Sequence, residues 1–254
     1  MAEQKDLYFD FSKREKDYAI GFLLSSLLQS REKCGICSNQ PEYDEDVNIY
    51  LAYLLFAIST AAYQKMTHRF VAFYQTDLAN LIEKSEDNYT RYFIYRVNAD
   101  HLLLYSSVFR DFLKKMIEER RISRISEEGL MGDARKYYEL ATFYNQRIYR
   151  KRTAVGDILI KLSRHFDRYC TVLTAVRRDY FHLMEEFSEG KFERRVAELN
   201  PREKEALLKE KQDAFLDLYL LWAKDKTNEE LVVKLEEVCR QVRVLDPQFQ
   251  FKCA

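Results

Sequence analysis

The chain has 254 residues with 41 basic and 41 acidic side chains, so its formal net charge is zero. Hydrophobic residues make up 47% of the sequence, which excludes globally disordered and low-complexity proteins, and the balanced charge removes the simplest argument for a nucleic-acid-binding protein. Six glycines and three prolines are few helix breakers for this length. Together with 18 tyrosines and 17 phenylalanines they predict a mostly helical protein with an aromatic-rich core.

The first predicted helix runs from Lys13 to about Ser30, where apolar residues recur at helical spacing. A loop over residues 31–46 follows and ends in acidic residues, which favour the start of a helix. The uncharged run from Val47 to Gln64 predicts a buried core helix that reaches about Lys65. Its tyrosines and amides make it too polar for a membrane-spanning helix, which needs about 20 predominantly apolar residues.

Two more helices are predicted before the middle of the chain. A short apolar helix passes through Leu78, and a long helix covers about 86–121 with Ser85 as its N-cap. The helical pattern stops between Ile122 and Asp133, where two glycines lie close together. This break predicts a boundary or a hinge.

The longest predicted element lies in the second half of the chain. Apolar residues from Tyr137 to Phe187 keep to one face at about 100° per residue, so we predict one continuous helix over about 134–187. Such a helix would be about 80 Å long. Gly156 is expected to bend it, and Gly190 to serve as its C-cap.

The last two predicted helices have clear start signals. The first begins with an N-cap, a proline at the first helical position and a capping-box acid, namely Asn200, Pro201 and Glu203. It is expected to reach about Lys224. The second begins with a capping box of Thr227 and Glu230 and ends before Pro247.

These elements predict an all-α fold, an elongated antiparallel helical bundle of about seven helices, two of them long. Residues 1–125 form the predicted N-terminal half with the cysteine loop, and residues 133–254 form the C-terminal half. We expect the two halves to pack as one globular unit. The mixed charges of the first 17 residues and the odd number of cysteines favour a cytoplasmic protein with reduced thiols.

Cys34-Gly35-Ile36-Cys37 is a short motif with two possible chemistries. Two cysteines at this spacing bind zinc as half of a four-ligand site, or form a redox pair. The other candidate ligands are distant in sequence: Cys170, Cys239, Cys253 and His68. We therefore predict reduced thiols and no cofactor, with zinc at Cys34 and Cys37 as the alternative.

No catalytic residue is predicted, and His101 marks the place where an enzymatic alternative would have its pocket. It shares the apolar stripe of the 86–121 helix with Val97 and Leu104, so it is expected to be buried, where it could act as a general base. Asp100 cannot orient it, because adjacent side chains on a helix diverge. A core histidine with satisfied hydrogen bonds is the simpler interpretation, and the sequence contains no Glu-x-x-His, Gly-x-Ser-x-Gly or Walker-type motif.

Basic side chains are concentrated in the middle of the chain. Residues 101–155 hold 12 basic and 7 acidic residues, and residues 141–156 hold four bases and no acid. The candidate binding surface consists of six basic residues: Arg147, Arg150, Lys151, Lys161, Arg164 and Arg168. A solvated face with ion pairs such as Asp157 with Lys161 is the simpler interpretation, and a track for a nucleic-acid backbone is the alternative.

We therefore predict a non-enzymatic cytoplasmic helical scaffold or protein-interaction protein that binds a protein partner or self-associates, and no membrane. Two other functions stay open. One is a nucleic-acid-associated protein that uses the basic face from Arg147 to Arg178. The other is an enzyme with a buried pocket near His101.

Overall fold

The computed structural model describes residues 8–36, 45–119 and 127–251. Within these ranges the chain forms eleven α-helices and no β-strand, so the all-α fold is confirmed. Contacts between the helices divide the chain into two compact units, Met1–Leu183 (unit 1) and Met184–Ala254 (unit 2). The predicted boundary between residues 122 and 133 falls partly outside the described residues, so the two predicted halves stay a prediction.

Eight helices lie entirely in unit 1: α1 (Lys13–Lys33), α2 (Glu45–Ile58), α3 (Ala61–Thr67), α4 (Gln75–Glu83), α5 (Asn88–Tyr105), α6 (Arg110–Glu119), α7 (Glu127–Tyr149) and α8 (Ala154–Arg164). Helix α9 (Phe166–Glu198) contributes residues to both units. Unit 2 also contains α10 (Pro201–Lys224) and α11 (Glu229–Leu245). The predicted number of about seven helices is therefore too low, because the longer predicted elements are interrupted.

Helix α5 is the centre of unit 1. Its residues 97–104 are all buried, which is expected of a helix surrounded by other elements on every side. Helix α2 packs eight buried side chains into the same core, so the uncharged run is a core helix as predicted. No helix in the described part of the chain has the length and apolar character needed to cross a membrane.

The predicted helix from Val47 to Lys65 is wrong in its length, because two hydroxyls end α2 early. The Ser59 hydroxyl donates to the carbonyl of Phe56 at 2.7 Å, and the Thr60 hydroxyl donates to that of Ala57 at 2.8 Å. These bonds satisfy the last carbonyls of α2. Thr60 then caps α3, because its side-chain oxygen accepts from the amide of Tyr63.

The predicted helix over 86–121 is also interrupted. Helix α5 ends at Tyr105, and the hydroxyl of Ser107 donates to the carbonyl of Leu103 at 2.6 Å, competing with the regular helical pattern. The N-cap is Asp87, whose carboxylate accepts from the amide of Thr90, and not Ser85. The hydroxyl of Ser85 instead donates to the last turn of α4.

The continuous helix predicted over 134–187 is wrong, because the chain reverses between α7 and α8. Arg150 has a φ of 52°, in the left-handed region that ends helices. Thr153 then caps α8 by accepting from the amide of Gly156, and it donates to Asn145 of α7 at 2.6 Å. A Cβ on Gly156 would lie 3.2 Å from the Asn145 and Thr153 oxygens, so a glycine permits this close approach.

Helices α7 and α8 form an antiparallel hairpin. Close to the turn, Thr153 of the segment before α8 donates to Asn145 of α7. Further from the turn, Ser163 of α8 donates to Glu139 of α7 at 3.1 Å. Both helices therefore point their apolar faces into the same core. This shared core explains why the apolar residues keep a regular helical spacing across the turn. Gly190 does not cap the end of this segment, because α9 continues to Glu198.

Of the two helix starts predicted for unit 2, that of α10 is confirmed. Asn200 and Glu203 form the predicted capping box around Pro201, and α10 ends at Lys224 as expected. For α11 the prediction is wrong by one residue. Asn228 is the N-cap, while the hydroxyl of Thr227 donates to Asp225. The core of unit 2 centres on three buried side chains, Trp222, Leu235 and Cys239, with phenylalanines packed against them.

Candidate functional site

A cluster of polar side chains around Asp100 lies inside unit 1. The Asp100 carboxylate, which is 3% exposed, accepts hydrogen bonds from the hydroxyls of Tyr50 at 2.7 Å and Tyr138 at 2.9 Å. Arg96, one helical turn before it, lies 3.7 Å from the carboxylate and donates to the Tyr50 hydroxyl at 3.1 Å. The cluster therefore joins α2, α5 and α7 through a single carboxylate.

Burial controls the protonation of this cluster. It raises the pKa of Asp100, and the Arg96 guanidinium and the two tyrosine hydroxyls oppose that shift. Burial and the Asp100 carboxylate raise the pKa of Tyr50 and Tyr138 well above the usual value, so both phenols keep their protons and donate them. The chemical role that this arrangement supports is a polar clamp between three helices.

His101 lies beside this cluster and is buried, as its place on the stripe predicted. Its Nδ1–H donates to the carbonyl of Val97 at 2.9 Å, and burial lowers the pKa of the imidazole. The ring stacks on Tyr63 with 5.9 Å between centroids. The Tyr63 hydroxyl is buried without a hydrogen-bond partner among the described residues, and its pKa is raised by burial and by the Asp100 carboxylate. Asp100 binds the two tyrosines and not His101.

Two clefts are lined by residues other than this cluster. One, of about 330 Å³, lies between α4 and the loop before it and is lined in part by Phe73, Asp77 and Lys84. The other, of about 930 Å³, belongs to unit 2, where Arg243 and Phe251 form part of its wall. Arg243 donates to the carbonyl of Phe251 at 2.5 Å.

The six predicted basic residues do not share one helix. Arg147, Arg150 and Lys151 lie at the α7–α8 turn, and the other three are on the returning α8 and the start of α9. Lys161 pairs with Asp46 of α2 at 3.1 Å, not with Asp157 as predicted. The chain reversal therefore leaves an exposed basic group at the turn and no continuous track along a helix.

The cysteine motif is described in part. Cys34 is half-buried and carries a free thiol, and Cys37 lies outside the described residues. In the described ranges, no three side chains of the histidine, cysteine, aspartate or glutamate type are grouped so that they could hold a metal ion. A zinc site at Cys34 and Cys37 therefore remains the alternative prediction.

The outer face of α10 carries exposed apolar side chains. Leu216 is 53% and Leu220 is 59% exposed, and Tyr219 and Ala223 beside them are also exposed. The Tyr219 ring packs against Phe215 and Trp222 of the unit 2 core, so we call Leu216, Leu220 and Ala223 the α10 surface. The opposite face of the helix, with Phe215, packs into the core of unit 2.

Sequence reasoning missed both the Asp100 cluster and the α10 surface. The i, i+4 spacing of Arg96 and Asp100 was the available signal for an ion pair on one helix. The consecutive apolar residues Phe215 and Leu216 on α10 were the signal that apolar side chains face in two directions. The sequence matches no protein-family model, and comparisons with curated proteins and with solved structures find no significant match.

Proposed function

We propose that this protein is a helical interaction protein that forms a dimer through the α10 surface. The observation that carries the proposal is the exposure of Leu216 and Leu220 on a helix that has one buried residue, Trp222. Contiguous exposed apolar side chains are a feature of protein interaction surfaces. The cytoplasmic location and the non-enzymatic role predicted from the sequence belong to this proposal.

Helical geometry explains why unit 2 cannot cover this surface itself. Phe215 and Trp222 point into the core cluster. Because successive residues of a helix are rotated by about 100°, Leu216 and Leu220 lie on the other side of α10. No rotation of α10 buries both sets at once. Unit 2 by itself therefore leaves the α10 surface uncovered, and we assign that surface to a second copy of the chain.

The charges at both ends of the α10 surface favour a second copy as the partner. Asp213 precedes Leu216 by three residues, and Lys224 follows Leu220 by four. In an antiparallel pair that places Leu216 against Leu220 of the second copy, Asp213 comes within one residue of Lys224 of that copy. A two-fold axis produces this pairing twice.

A parallel pair has the opposite electrostatic result. It places Asp213 against Asp213 and Lys224 against Lys224, and like charges in such positions repel. The charge pattern therefore selects the antiparallel arrangement, while the burial of leucine side chains supplies the affinity.

Light scattering coupled to size-exclusion chromatography tests the proposal. The parent protein should elute with twice the chain mass of 30.5 kDa at micromolar concentration, and the double variant Leu216→Asp/Leu220→Asp with the mass of one chain. Leu28→Asp is the matched control, because Leu28 is similarly exposed but lies on α1. A parent protein that stays monomeric up to about 100 µM, a concentration at which a weak Kd would already show, contradicts the proposal.

A further inference from the structure

The α7–α8 turn carries three cations without acidic partners in the described structure. Arg147, Arg150 and Lys151 are exposed, and none of them forms an ion pair with another described residue. Their neighbour Arg152 differs, because it pairs with Asp157. The three cations therefore produce a local positive potential that no direct ion pair among the described residues neutralises.

Two exposed aromatic rings accompany these cations. Phe143 is 46% and Tyr149 is 47% exposed, and the Arg147 guanidinium lies over the Phe143 ring with 4.6 Å to its centroid. A planar guanidinium on an aromatic ring provides a flat surface on which a nucleobase can stack. Tyr138, an aromatic residue of the same helix, is fully buried and does not contribute.

Arg150 occupies a backbone conformation that disfavours it. Its φ of 52° lies in the left-handed region, and a glycine would adopt this conformation without steric cost. The amide of Arg150 donates to the carbonyl of Gln146 at 2.8 Å, so the residue closes α7 in the position where glycine is usual. Strained residues of this kind cluster at functional sites, where the side chain is needed.

We propose that the α7–α8 turn binds single-stranded nucleic acid. Arg150 and Lys151 contact phosphate groups, and bases stack on Tyr149 and on the pair of Arg147 and Phe143. Exposed rings among cations favour a single strand, because a duplex keeps its bases inside the stack. They also favour nucleic acid over an acidic protein, because every base of a strand presents a planar face for stacking.

An acidic helix N-cap lies at the same end of unit 1 as the turn. Helices α5 and α7 are antiparallel, because Asp100 bonds Tyr138 and Tyr95 stacks on Tyr144, so the start of α5 lies at this end of unit 1. Its N-cap Asp87 accepts from the amide and the hydroxyl of Thr90. These hydrogen bonds lower the pKa of Asp87, so its carboxylate keeps its negative charge, and the three cations of the turn outnumber it.

Fluorescence anisotropy with a labelled oligothymidylate of about 20 nucleotides tests the proposal, since a site of this kind covers several nucleotides. The full chain should bind at about 50 mM salt, and three phosphate contacts predict a slope of about −2 for log K against log salt. Arg147→Ala/Arg150→Gly/Lys151→Ala should lower the affinity at least about tenfold through the same loss of contacts. The control Lys13→Ala/Arg14→Ala/Lys16→Ala removes equal charge from α1 and should leave the affinity unchanged.

Two single variants separate this site from a merely charged surface. Arg150→Gly should raise the Tm, because it relieves the left-handed conformation, and should lower the affinity for the oligonucleotide. Tyr149→Ser should lower that affinity through lost stacking, at unchanged charge.

Four results would overturn the proposal. The first is no binding at about 50 mM salt, where phosphate contacts are strongest. The second is an equal loss of affinity in the α1 control. The third is full affinity in Tyr149→Ser. The fourth is competition by polyglutamate as effective as that by unlabelled oligonucleotide, which would assign the turn to an acidic protein partner.

Discussion

Units 1 and 2 bury their side chains to very different extents. In unit 1, α5 is buried all round over residues 97–104 and keeps its polar groups bonded inside the protein. In unit 2, α10 is longer, yet of its 24 residues Trp222 alone is buried. Contacts within its own chain therefore stabilise α5, whereas contacts with a partner would add most to the stability of α10.

The polar residues of α5 explain how unit 1 holds its arrangement. Asn98 accepts from the amide of Ala72 at 2.7 Å and donates to the carbonyl of Phe70 at 2.8 Å, which fixes the loop before α4. Asp100 joins α2 and α7 in the same way. Buried polar groups with all partners in place define one geometry, because any displacement leaves them unpaired.

The largest expected effect is the loss of the Asp100 carboxylate. Asp100→Ala removes the counter-charge of Arg96 and leaves two tyrosine hydroxyls without their acceptor, and should lower the free energy of unfolding by about 3–5 kcal/mol in urea titrations. Asp167→Ala is the control, because its exposed carboxylate pairs with Arg135 on the surface and should cost at most about 1 kcal/mol. Equal losses in the two variants would contradict a specific role for the buried cluster.

Truncating one leucine in each unit compares the two environments directly. Leu103→Ala opens a cavity in unit 1 and should cost about 3 kcal/mol in the same titration. Leu221 is half-exposed on α10, so Leu221→Ala should change stability by less than about 0.5 kcal/mol. A large effect at Leu221 would show that α10 is more deeply packed than its exposure indicates.

Local chemistry made some elements predictable from the sequence, and long-range packing made others unpredictable. The capping box of Asn200 and Glu203 was found because its partners are three residues apart. The Asp100 cluster was not found, since Tyr50 and Tyr138 lie 50 and 38 residues away in sequence. The break at Arg150 was missed because α7 and α8 share one core, so their apolar residues keep the spacing of a single helix.

Reversing charges on α10 should have a smaller effect and should define the dimer's orientation. Asp213→Lys creates two repulsive pairs in the antiparallel dimer and should weaken it by about 1–2 kcal/mol, or about tenfold in Kd, in sedimentation equilibrium at low salt. Lys224→Asp should act alike, and the combined variant should restore the parent's Kd. A parallel dimer would be indicated if the combined variant stays as weak as either single variant.

The smallest expected effect is the pH dependence contributed by His101. Burial lowers its pKa in the folded protein, so its contribution to stability is complete above the unfolded value of about 6.5 and is lost as the pH falls through the folded pKa. His101→Gln should flatten the fall in unfolding free energy below pH 6.5.

His182→Gln is the control for this experiment, because it makes the same substitution at an exposed side chain. Asp100, whose pKa is raised, contributes with the opposite sign and is present in both variants. A parent and a His101→Gln variant with the same slope would contradict the effect of burial on the imidazole.

Hydrogen exchange at two protein concentrations tests the central claim most directly. At concentrations above the dimer Kd, amides in residues 212–224 of α10 should exchange more slowly than below it, since the second copy stabilises this helix. Amides of α5 should show the same protection at both concentrations. Exchange on α10 that does not change with concentration, or that changes equally on α5, would contradict the claim that α10 is the surface completed by a second copy.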